Sequence, residues 1–391
     1  MEFSKFKTTG RVASALLCAL SMACSSAPAS PGGGGGEGGG SGQGGASGQG
    51  GDAGGGGTGG SGGMPGMVFP CTADGFQDAI DEGGGPHTFD CSGPTRVSVD
   101  AGFLIDEDVI LDGAGDLILD GGDTTRMIEV GAATVELRGI GIENGEDPAV
   151  FLPAGATLTL RQCSIVSTNG SAMFVAADSR LTLLESTVAE NVANFGAGLR
   201  VQEGGIADVV GSTFSNNDGQ VACGGIQSEG LLTVSNSTFS GNDGEAICVE
   251  GNANVILNHV TISADNEPAS TSTVVVAVDS DGASLAVTNS IILGACRLSA
   301  SGLASGGHNI ESPLDSCGLA GLGDLDGIDP ANLNLGPLQA NGGPTETHEP
   351  GEGPTLDGVA SQNCNLETDQ RGIARPQGVR CDIGAVEVVD R

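Results

Sequence analysis

The sequence predicts an all-β fold, a right-handed parallel β-helix (solenoid) of about eight coils, and a repeated frame is the main observation behind it. An apolar anchor returns every 23 to 30 residues, at Ile142, Ile165, Val188, Phe214, Phe239, Ile262 and Ile292. Two alternating apolar residues precede the anchors, as Leu158 and Leu160 precede Ile165. Such alternation is strand periodicity, and a strand that returns at a fixed interval is typical of a solenoid. Parallel crossovers favour the right-handed form.

Each repeat alternates Val, Ile and Thr with polar residues, turns at a cluster of Ser, Asn and Gly, and starts again, as residues 230–242 show. About three short strands fit in one coil, so inward aliphatic side chains should stack into ladders along a rod on the order of 40 Å long. Helical repeats would need apolar residues three and four apart, and leucine-rich repeats need their own leucine frame. Neither pattern is present in the sequence.

Three asparagines follow their anchors at the same distance: Asn191, Asn217 and Asn242. Amides at one bend of successive coils can bond to neighbouring backbone groups, and Asn tolerates the left-handed conformations that bends need. We interpret them as a structural ladder rather than as ligands. The extra residues of the longer repeats fall at 191–198 and 216–225, so they should emerge along one edge of the rod. Such insertions often mark a binding face, and merely tolerated loops are the alternative.

The N-terminus predicts export. Residues 1–23 form a signal peptide, in which a basic start is followed by an apolar run too short to span a bilayer. Leu20-Ser-Met-Ala-Cys24 resembles a bacterial lipobox and predicts lipidation of Cys24; ordinary signal cleavage is the alternative. Residues 24–69 continue as a Gly-rich tether with the composition of a random coil. We therefore expect an outer-membrane or cell-surface lipoprotein that contacts the membrane through its N-terminal lipid.

The ends of a solenoid expose its core and need caps. We predict an N-terminal cap over residues 70–103, the β-helix over 104–299, and an irregular C-terminal cap over 300–391, where the repeat is lost and Gly, Pro and Asp dominate. Phe76, Ala79 and Ile80 have helical spacing, which predicts a short amphipathic helix over 74–82 with Asp74 as its N-cap.

Eleven cysteines predict a disulfide framework and an oxidising compartment, and nine of them remain when Cys18, in the signal peptide, and Cys24 are set aside. Three pairs are separated by short loops and a fourth falls on neighbouring coils. The four candidate pairs are Cys71–Cys91, Cys296–Cys317, Cys364–Cys381 and Cys223–Cys248. Cys163 is left over at a repeat position that Ser186, Ser212 and Ser237 occupy elsewhere, which predicts a small packed side chain rather than a nucleophile. No Cys-x-x-Cys pair indicates zinc.

The C-terminal fifth of the chain resembles a family of bacterial right-handed parallel β-helix surface proteins called choice-of-anchor Q. The resemblance covers residues 306–387 and depends on five segments in order: Gly307-His-Asn-Ile310, Leu335-Gly-Pro-Leu-Gln-Ala-Asn-Gly-Gly-Pro-Thr-Glu-Thr-His348, Thr368-Asp-Gln-Arg-Gly372, Arg375-Pro376 and Cys381-Asp-Ile-Gly-Ala385. It implies an exported protein held at the cell surface, and it implies no established reaction.

Composition limits the function classes. The chain carries 14 basic against 49 acidic residues and a net charge of −35, so nucleic acid is not an expected partner. A polyuronate would be repelled unless calcium or a local Arg cluster intervened. Sugar subsites usually stack on aromatic rings, yet Trp and Tyr are absent. The catalytic motifs of polygalacturonases are absent too. His308 and His348 are interpreted as hydrogen-bonding residues of the cap rather than general bases, and His259 as an exposed or satisfied residue of a coil.

One acidic segment is a calcium candidate. Asp324, Asp326 and Asp329 lie close together in the sequence, and carboxylate oxygens suit that ion. Asp-Gly and Asp-Pro are also ordinary turn formers, so we expect no obligatory cofactor and keep calcium as the alternative.

These observations predict a non-catalytic, lipid-anchored display or adhesion module whose partner is a glycan or another surface protein. The alternative is an extracellular polysaccharide hydrolase or lyase that uses carboxylates on the β-helix face. We assign no catalytic residue.

Overall fold

The structure, a computed structural model, describes residues 66–264, 273–299 and 302–389, and these form a parallel β-helix with an added C-terminal region. The predicted signal peptide, Cys24 and most of the tether lie outside the described residues. Each full coil contributes three short strands, which stack on their counterparts in the next coil to form three faces. Within the described residues, no helix is long and apolar enough to cross a membrane.

The first face is built mainly from five-residue strands. In chain order its strands are Val109–Asp120, Thr134–Glu143, Thr157–Arg161, Arg180–Leu184, Ile206–Val210, Leu231–Ser235, Asn254–Asn258, Ser284–Thr288 and Leu303–Gly307. The first two of these are long enough to continue into the second face. The remaining strands of the second face are Ser164–Val166, Thr187–Ala189, Thr213–Ser215, Thr238–Ser240, Thr261–Ser263, Ile291–Leu293 and Ile310–Ser312.

The third face is a separate sheet, which has nine strands among the described residues. They are Phe103–Ile105, Ile128–Val130, Val150–Leu152, Met173–Val175, Leu199–Val201, Ile226–Ser228, Ile247–Val249, Val274–Val278 and Ala295–Leu298. All of its pairings are parallel, and the number of coils agrees well with the predicted eight. The coil strands continue past residue 299 to Ser312, where the sequence suggested a cap.

The core consists of aliphatic ladders, as the frame predicts. Ile165 pairs in register with Ile142 and Val188, and Phe214 pairs with Phe239, so the anchors form one continuous row on the second face. The anchors are at most 1% exposed. Because an inward residue in one coil packs against its equivalents above and below, the repeat period alone determines which residues form the core.

Left-handed bends connect the faces. One bend residue follows each first-face strand, with φ between 44° and 64°: Gln162, Glu185, Gly211, Asn236, His259, Asn289 and His308. A second bend follows the second face and includes Glu190 and Asn216. We expected Asn191 and Asn217 to adopt the left-handed conformation at these bends. In the structure the residue before each of them, Glu190 or Asn216, adopts it instead.

The predicted asparagine ladder is confirmed. The Asn191 Nδ2 donates to Asn217 Oδ1 at 2.8 Å, and the Asn217 Nδ2 donates to Asn242 Oδ1 at 2.9 Å. Each amide also donates to a carbonyl of the preceding coil, such as that of Val188 for Asn217. A parallel ladder of hydroxyls passes through Ser186, where Oγ accepts a hydrogen bond from the amide N–H of Cys163.

The N-terminal end carries a helix, Ala73–Glu82, that buries Phe76, Ala79 and Ile80. The helix is confirmed but its predicted N-cap is wrong. Thr72 caps it, since its Oγ1 accepts from the amide of Gly75 at 3.0 Å. Asp74 lies in the first turn, where a carboxylate complements the positive end of the helix dipole.

All four candidate disulfides are present: Cys71–Cys91, Cys223–Cys248, Cys296–Cys317 and Cys364–Cys381. Cys163 is free and buried, as expected. Its Sγ lies 3.4 Å from the carbonyl oxygens of Leu137 and Arg161. Burial raises the pKa of the Cys163 thiol to about 11, so at neutral pH it stays protonated.

The C-terminal region runs back along the second face instead of only covering the last coil. It contains the short helix Pro330–Leu333, the antiparallel strands Leu335–Gln339 and Thr347–Pro350, and the 3₁₀ turn Ser361–Asn363. Gln370 lies at the centre of the contact, where its Oε1 accepts from Thr238 Oγ1 at 2.6 Å and its Nε2 donates to Thr213 Oγ1 at 2.9 Å. A second small core, which includes Ile291, Val359 and Ile383, lies beside it.

Candidate binding groove on the third face

One outward column of side chains runs along the third face, with one residue from each strand. Backbone pairing places each residue beside its counterpart in the next coil. In order along the rod the column is Leu104, Glu129, Phe151, Phe174, Arg200, Gln227, Cys248, Ala277 and Arg297. The two phenylalanines are therefore neighbours, and their ring centroids lie 5.6 Å apart.

A guanidinium group covers each of these two rings. The Cζ of Arg126, from the preceding coil, lies 4.7 Å from the centroid of Phe151, and the Cζ of Arg200 lies 5.6 Å from that of Phe174. Cation–π contacts of this kind contribute roughly 0.5–1 kcal/mol at exposed sites. The four side chains form one row, Arg126–Phe151–Phe174–Arg200, which we call the cation–aromatic row.

The insertions at 191–198 and 216–225, which were predicted to emerge along one edge of the rod, form a wall beside this row. Within them, Val192–Phe195 and Asp218–Ala222 pair as a two-stranded parallel sheet outside the three faces. Its inner strand is held to the rod by Ser171, whose Oγ donates to the carbonyl of Phe195 at 3.2 Å. The Phe195 side chain itself is 42% exposed.

The space between the row and this wall is a groove of about 530 Å³. Its lining combines aromatic side chains with amides and two guanidinium groups. The polar members besides the arginines include Asp147, Asn169, Ser171, Asn194 and Gln220. A second hollow of about 440 Å³ adjoins it on the other side of Arg126 and includes Leu104 and Glu129. Together they make the third face concave from the first to the fifth of its strands.

The charges of the groove are balanced by exposed partners. Arg126 Nη1 lies 3.2 Å from a carboxylate oxygen of Glu129, and Arg200 Nη2 lies 3.9 Å from Glu229. Asp147 Oδ1 accepts from the amide of Ser171 at 3.1 Å. Ion pairs of this exposure contribute about 0–1 kcal/mol, so either guanidinium can exchange its partner for a ligand at little cost.

The three calcium candidates are not brought together as one site. Asp324 accepts hydrogen bonds from the amides of Asn309 and Gly321, and Asp329 caps the helix Pro330–Leu333 through the amide of Ala331. Asp326 instead lies near Glu311 and Asp315. Partial burial and the neighbouring carboxylates raise its pKa. Both carboxylate oxygens of Glu311 already accept hydrogen bonds from the segment at 316–317.

The histidines have structural partners, as predicted. His259 Nδ1 bonds to the carbonyl of Gly384 and its Nε2 to the amide of Asn289. Burial lowers the pKa of His259 to about 3, with the Arg375 charge adding to the effect. His348 joins Gly336 to Ser240, and His308 bonds to Asn363.

Sequence reasoning missed the cation–aromatic row. Its members form no sequence motif, because the residue type at the outward position of a three-residue strand depends only on the side chains next to it in the adjoining coils. The available signal was the repeat spacing itself: Phe151 and Phe174 are 23 residues apart, and Arg200 follows after 26. Aligning the repeats by their outward positions would have shown the row.

Comparison with known proteins identifies the fold. A family described as a right-handed β-helix region matches residues 138–312. No curated protein and no solved structure matches the chain. Together with the parallel stacking of its strands, this match shows that the chain folds as a right-handed parallel β-helix.

Proposed function

We propose that this protein is a non-catalytic surface module that binds a saccharide in the third-face groove. The observation that carries the proposal is the groove itself, where a cation–aromatic row faces the wall formed by Val192–Phe195 and Asp218–Ala222. Open grooves that mix aromatic rings with amide donors and acceptors suit hydroxyl-rich chains, since such chains need many hydrogen bonds and shallow apolar contacts. The groove runs along the rod axis, as an extended oligosaccharide would.

Several sequence features support surface display. The signal peptide, the lipobox-like Cys24 and the Gly-rich tether would place the rod outside the cell and away from its membrane. Four disulfides suit an oxidising compartment. The resemblance of residues 306–387 to choice-of-anchor Q proteins agrees with an exported, anchored module.

The test is binding of the purified protein to a panel of oligosaccharides, compared with variants of the groove. Phe174→Ala and Phe195→Ala should each weaken binding about tenfold, because each removes apolar contact at the groove. Ile256→Ala is the matched control: Ile256 is 41% exposed, like Phe195, but lies on the first face. Unchanged binding by both groove variants would refute the proposed site.

The same panel tests the enzymatic alternative. Reducing ends or unsaturated products should not accumulate during prolonged incubation, with or without calcium. If the wild type does turn over a saccharide and the Asp147→Asn variant does not, the groove is instead a catalytic cleft, since Asp147 is a carboxylate of its lining.

A further inference from the structure

We infer that the saccharide bound in this groove is uncharged and carries acetamido groups, which hydrogen-bond to an open strand edge in the groove wall; the inference rests on the proposed function. Three features of the groove favour this ligand: its charge, the covering of its aromatic rings, and the unpaired edge of its inner wall strand.

The charges around the groove favour an uncharged ligand. Two arginines, Arg126 and Arg200, lie among four carboxylates. The carboxylates are Asp147 in the groove, Glu129 and Glu146 in the adjoining hollow, and Glu229 beside Arg200. Since the whole chain has a net charge of −35 as well, an acidic saccharide would be repelled. An ammonium group near the rings would instead meet the two guanidinium groups that already cover them.

The aromatic rings of the row cannot serve as a platform for the face of a sugar ring. A guanidinium covers one face of Phe151 and one face of Phe174, and the two rings lie next to each other with their planes inclined by 47°. The row therefore presents mainly ring edges to the groove. Phe195 stands in the opposite wall and is 42% exposed, which leaves an apolar surface for a group as small as a methyl.

The inner strand of the wall has an open edge along the groove. The wall is a sheet of two strands, so within the described residues one edge of Val192–Phe195 has no partner strand. On that side only Val192 is paired, through a single bridge to Asn169. The rest of the strand continues along the groove and lines it. Apart from the Phe195 carbonyl, which accepts from Ser171, the backbone groups of this edge are available to a ligand.

An acetamido group matches this edge. It carries one N–H and one C=O on a planar amide, as a peptide unit does, so it can both donate to and accept from the backbone of an edge strand. Its methyl group can pack on Phe195, and the amide side chains of Asn169 and Asn194 line the same groove. A hydroxyl at the same carbon of the sugar would offer neither the planar amide nor the methyl contact.

The experiment compares three β-1,4-linked hexamers that differ only in the group at carbon 2 of each glucose unit, which is acetamido, hydroxyl or ammonium. Calorimetry at pH 6 measures their affinities for the purified protein. We expect the acetamido hexamer to bind about tenfold more tightly than either of the others, because it adds an amide hydrogen bond and a buried methyl group.

Substitutions in the groove separate this preference from general affinity. Phe195→Ala should weaken binding of the acetamido hexamer about tenfold and binding of the hydroxyl hexamer much less, because it removes the methyl contact. Phe174→Ala should weaken both and leave their ratio unchanged. Val221→Ala is the matched control, since Val221 is 65% exposed on the other wall strand, and it should bind like the wild type. Equal thermal unfolding midpoints will show that the variants fold.

Hydrogen exchange of the wild type tests the strand edge without any substitution. The acetamido hexamer should slow amide exchange in residues 192–195 severalfold, because its carbonyl accepts from this edge. Residues 218–222, the other wall strand, are the internal control and should exchange at an unchanged rate. The hydroxyl hexamer should slow neither segment.

The outcomes separate the inference from the proposed function. Equal or tighter binding of the hydroxyl hexamer, still weakened by Phe174→Ala, would overturn the inference and leave the saccharide-binding groove intact. Tighter binding of the ammonium hexamer, weakened by Asp147→Asn, would show that charge selects the ligand and would overturn it too. So would binding of the acetamido hexamer without slower exchange in 192–195, or its failure to bind when another oligosaccharide does. Absence of binding to any saccharide would overturn both.

Discussion

Replacing Asn217 with alanine tests whether the asparagine ladder stabilises the rod. The Asn217 side chain makes four buried hydrogen bonds: its Oδ1 accepts from the backbone and side-chain nitrogens of Asn191, and its Nδ2 donates to Val188 and Asn242. Two of the partners keep another bond, since Asn191 Nδ2 still donates to Ile165 and Asn242 Oδ1 still accepts from the amide of residue 217. The substitution therefore leaves the buried backbone N–H of Asn191 without its partner.

The magnitude follows from this orphaned group. An unsatisfied buried polar group costs about 1–3 kcal/mol, so the free energy of unfolding should fall by roughly 1–3 kcal/mol. Equilibrium denaturation in guanidinium, followed by far-UV circular dichroism, measures the change. Asn254→Ala is the control, because Asn254 is an exposed strand residue and its loss should stay within about 0.5 kcal/mol. A loss below 1 kcal/mol for Asn217→Ala would refute the reasoning, since it would mean that water replaces the ladder.

Four further predictions concern three buried groups. Glu387→Gln should destabilise the protein by about 3–5 kcal/mol in the same assay, because it leaves the fully buried guanidinium of Arg375 without its 2.9 Å partner. The pKa of His259 is held near 3, below its unfolded value, so its stabilising contribution is complete above about pH 6.5 and is lost as pH falls. Between pH 6.5 and 4.5 the wild type should therefore lose about 2–3 kcal/mol more than His259→Gln, and parallel pH profiles would contradict this. Cys163→Ser should change stability by less than about 1 kcal/mol, because Ser186, its counterpart in the next coil, donates to the carbonyl of Leu184 just as the Cys163 thiol contacts that of Arg161. The Cys163 thiol should resist iodoacetamide at pH 8 until the protein unfolds, as mass spectrometry can show.

The fold could be predicted because every coil of a solenoid repeats the same pattern of apolar and polar residues. One anchor such as Ile165 would mean little, but seven anchors in phase identify the inward positions of a whole face. The same periodicity explains why the asparagine ladder and the Cys223–Cys248 pair were predictable: residues one period apart are neighbours in space. Local capping was less predictable, since Thr72 and Asp74 are both good N-caps and only the backbone path decides between them.

The repeat period could predict neither the position of the C-terminal region nor the presence of the groove. Gln370 contacts Thr213 across 157 residues, and no period links the two. The residues that resemble choice-of-anchor Q motifs, such as Gln370 and His348, are those that hold this region against the second face. The groove depends on outward side chains and on insertions, which the period leaves free to vary.

The lateral position of the C-terminal region has a consequence for the order of assembly. Coils can stack in turn from the N-terminal end of the chain, because each one pairs mainly with its predecessor. The outer side of the second face, however, stays bare until residues 345–389 have folded against it. The row of side chains that the C-terminal region buries there is hydroxylated at Thr213, Thr238 and Thr261 and becomes apolar at Ile291, near the end of the rod. A rod that lacks the C-terminal region therefore exposes hydroxyl groups along the three threonine coils, and a truncated chain should not self-associate through that part of the face.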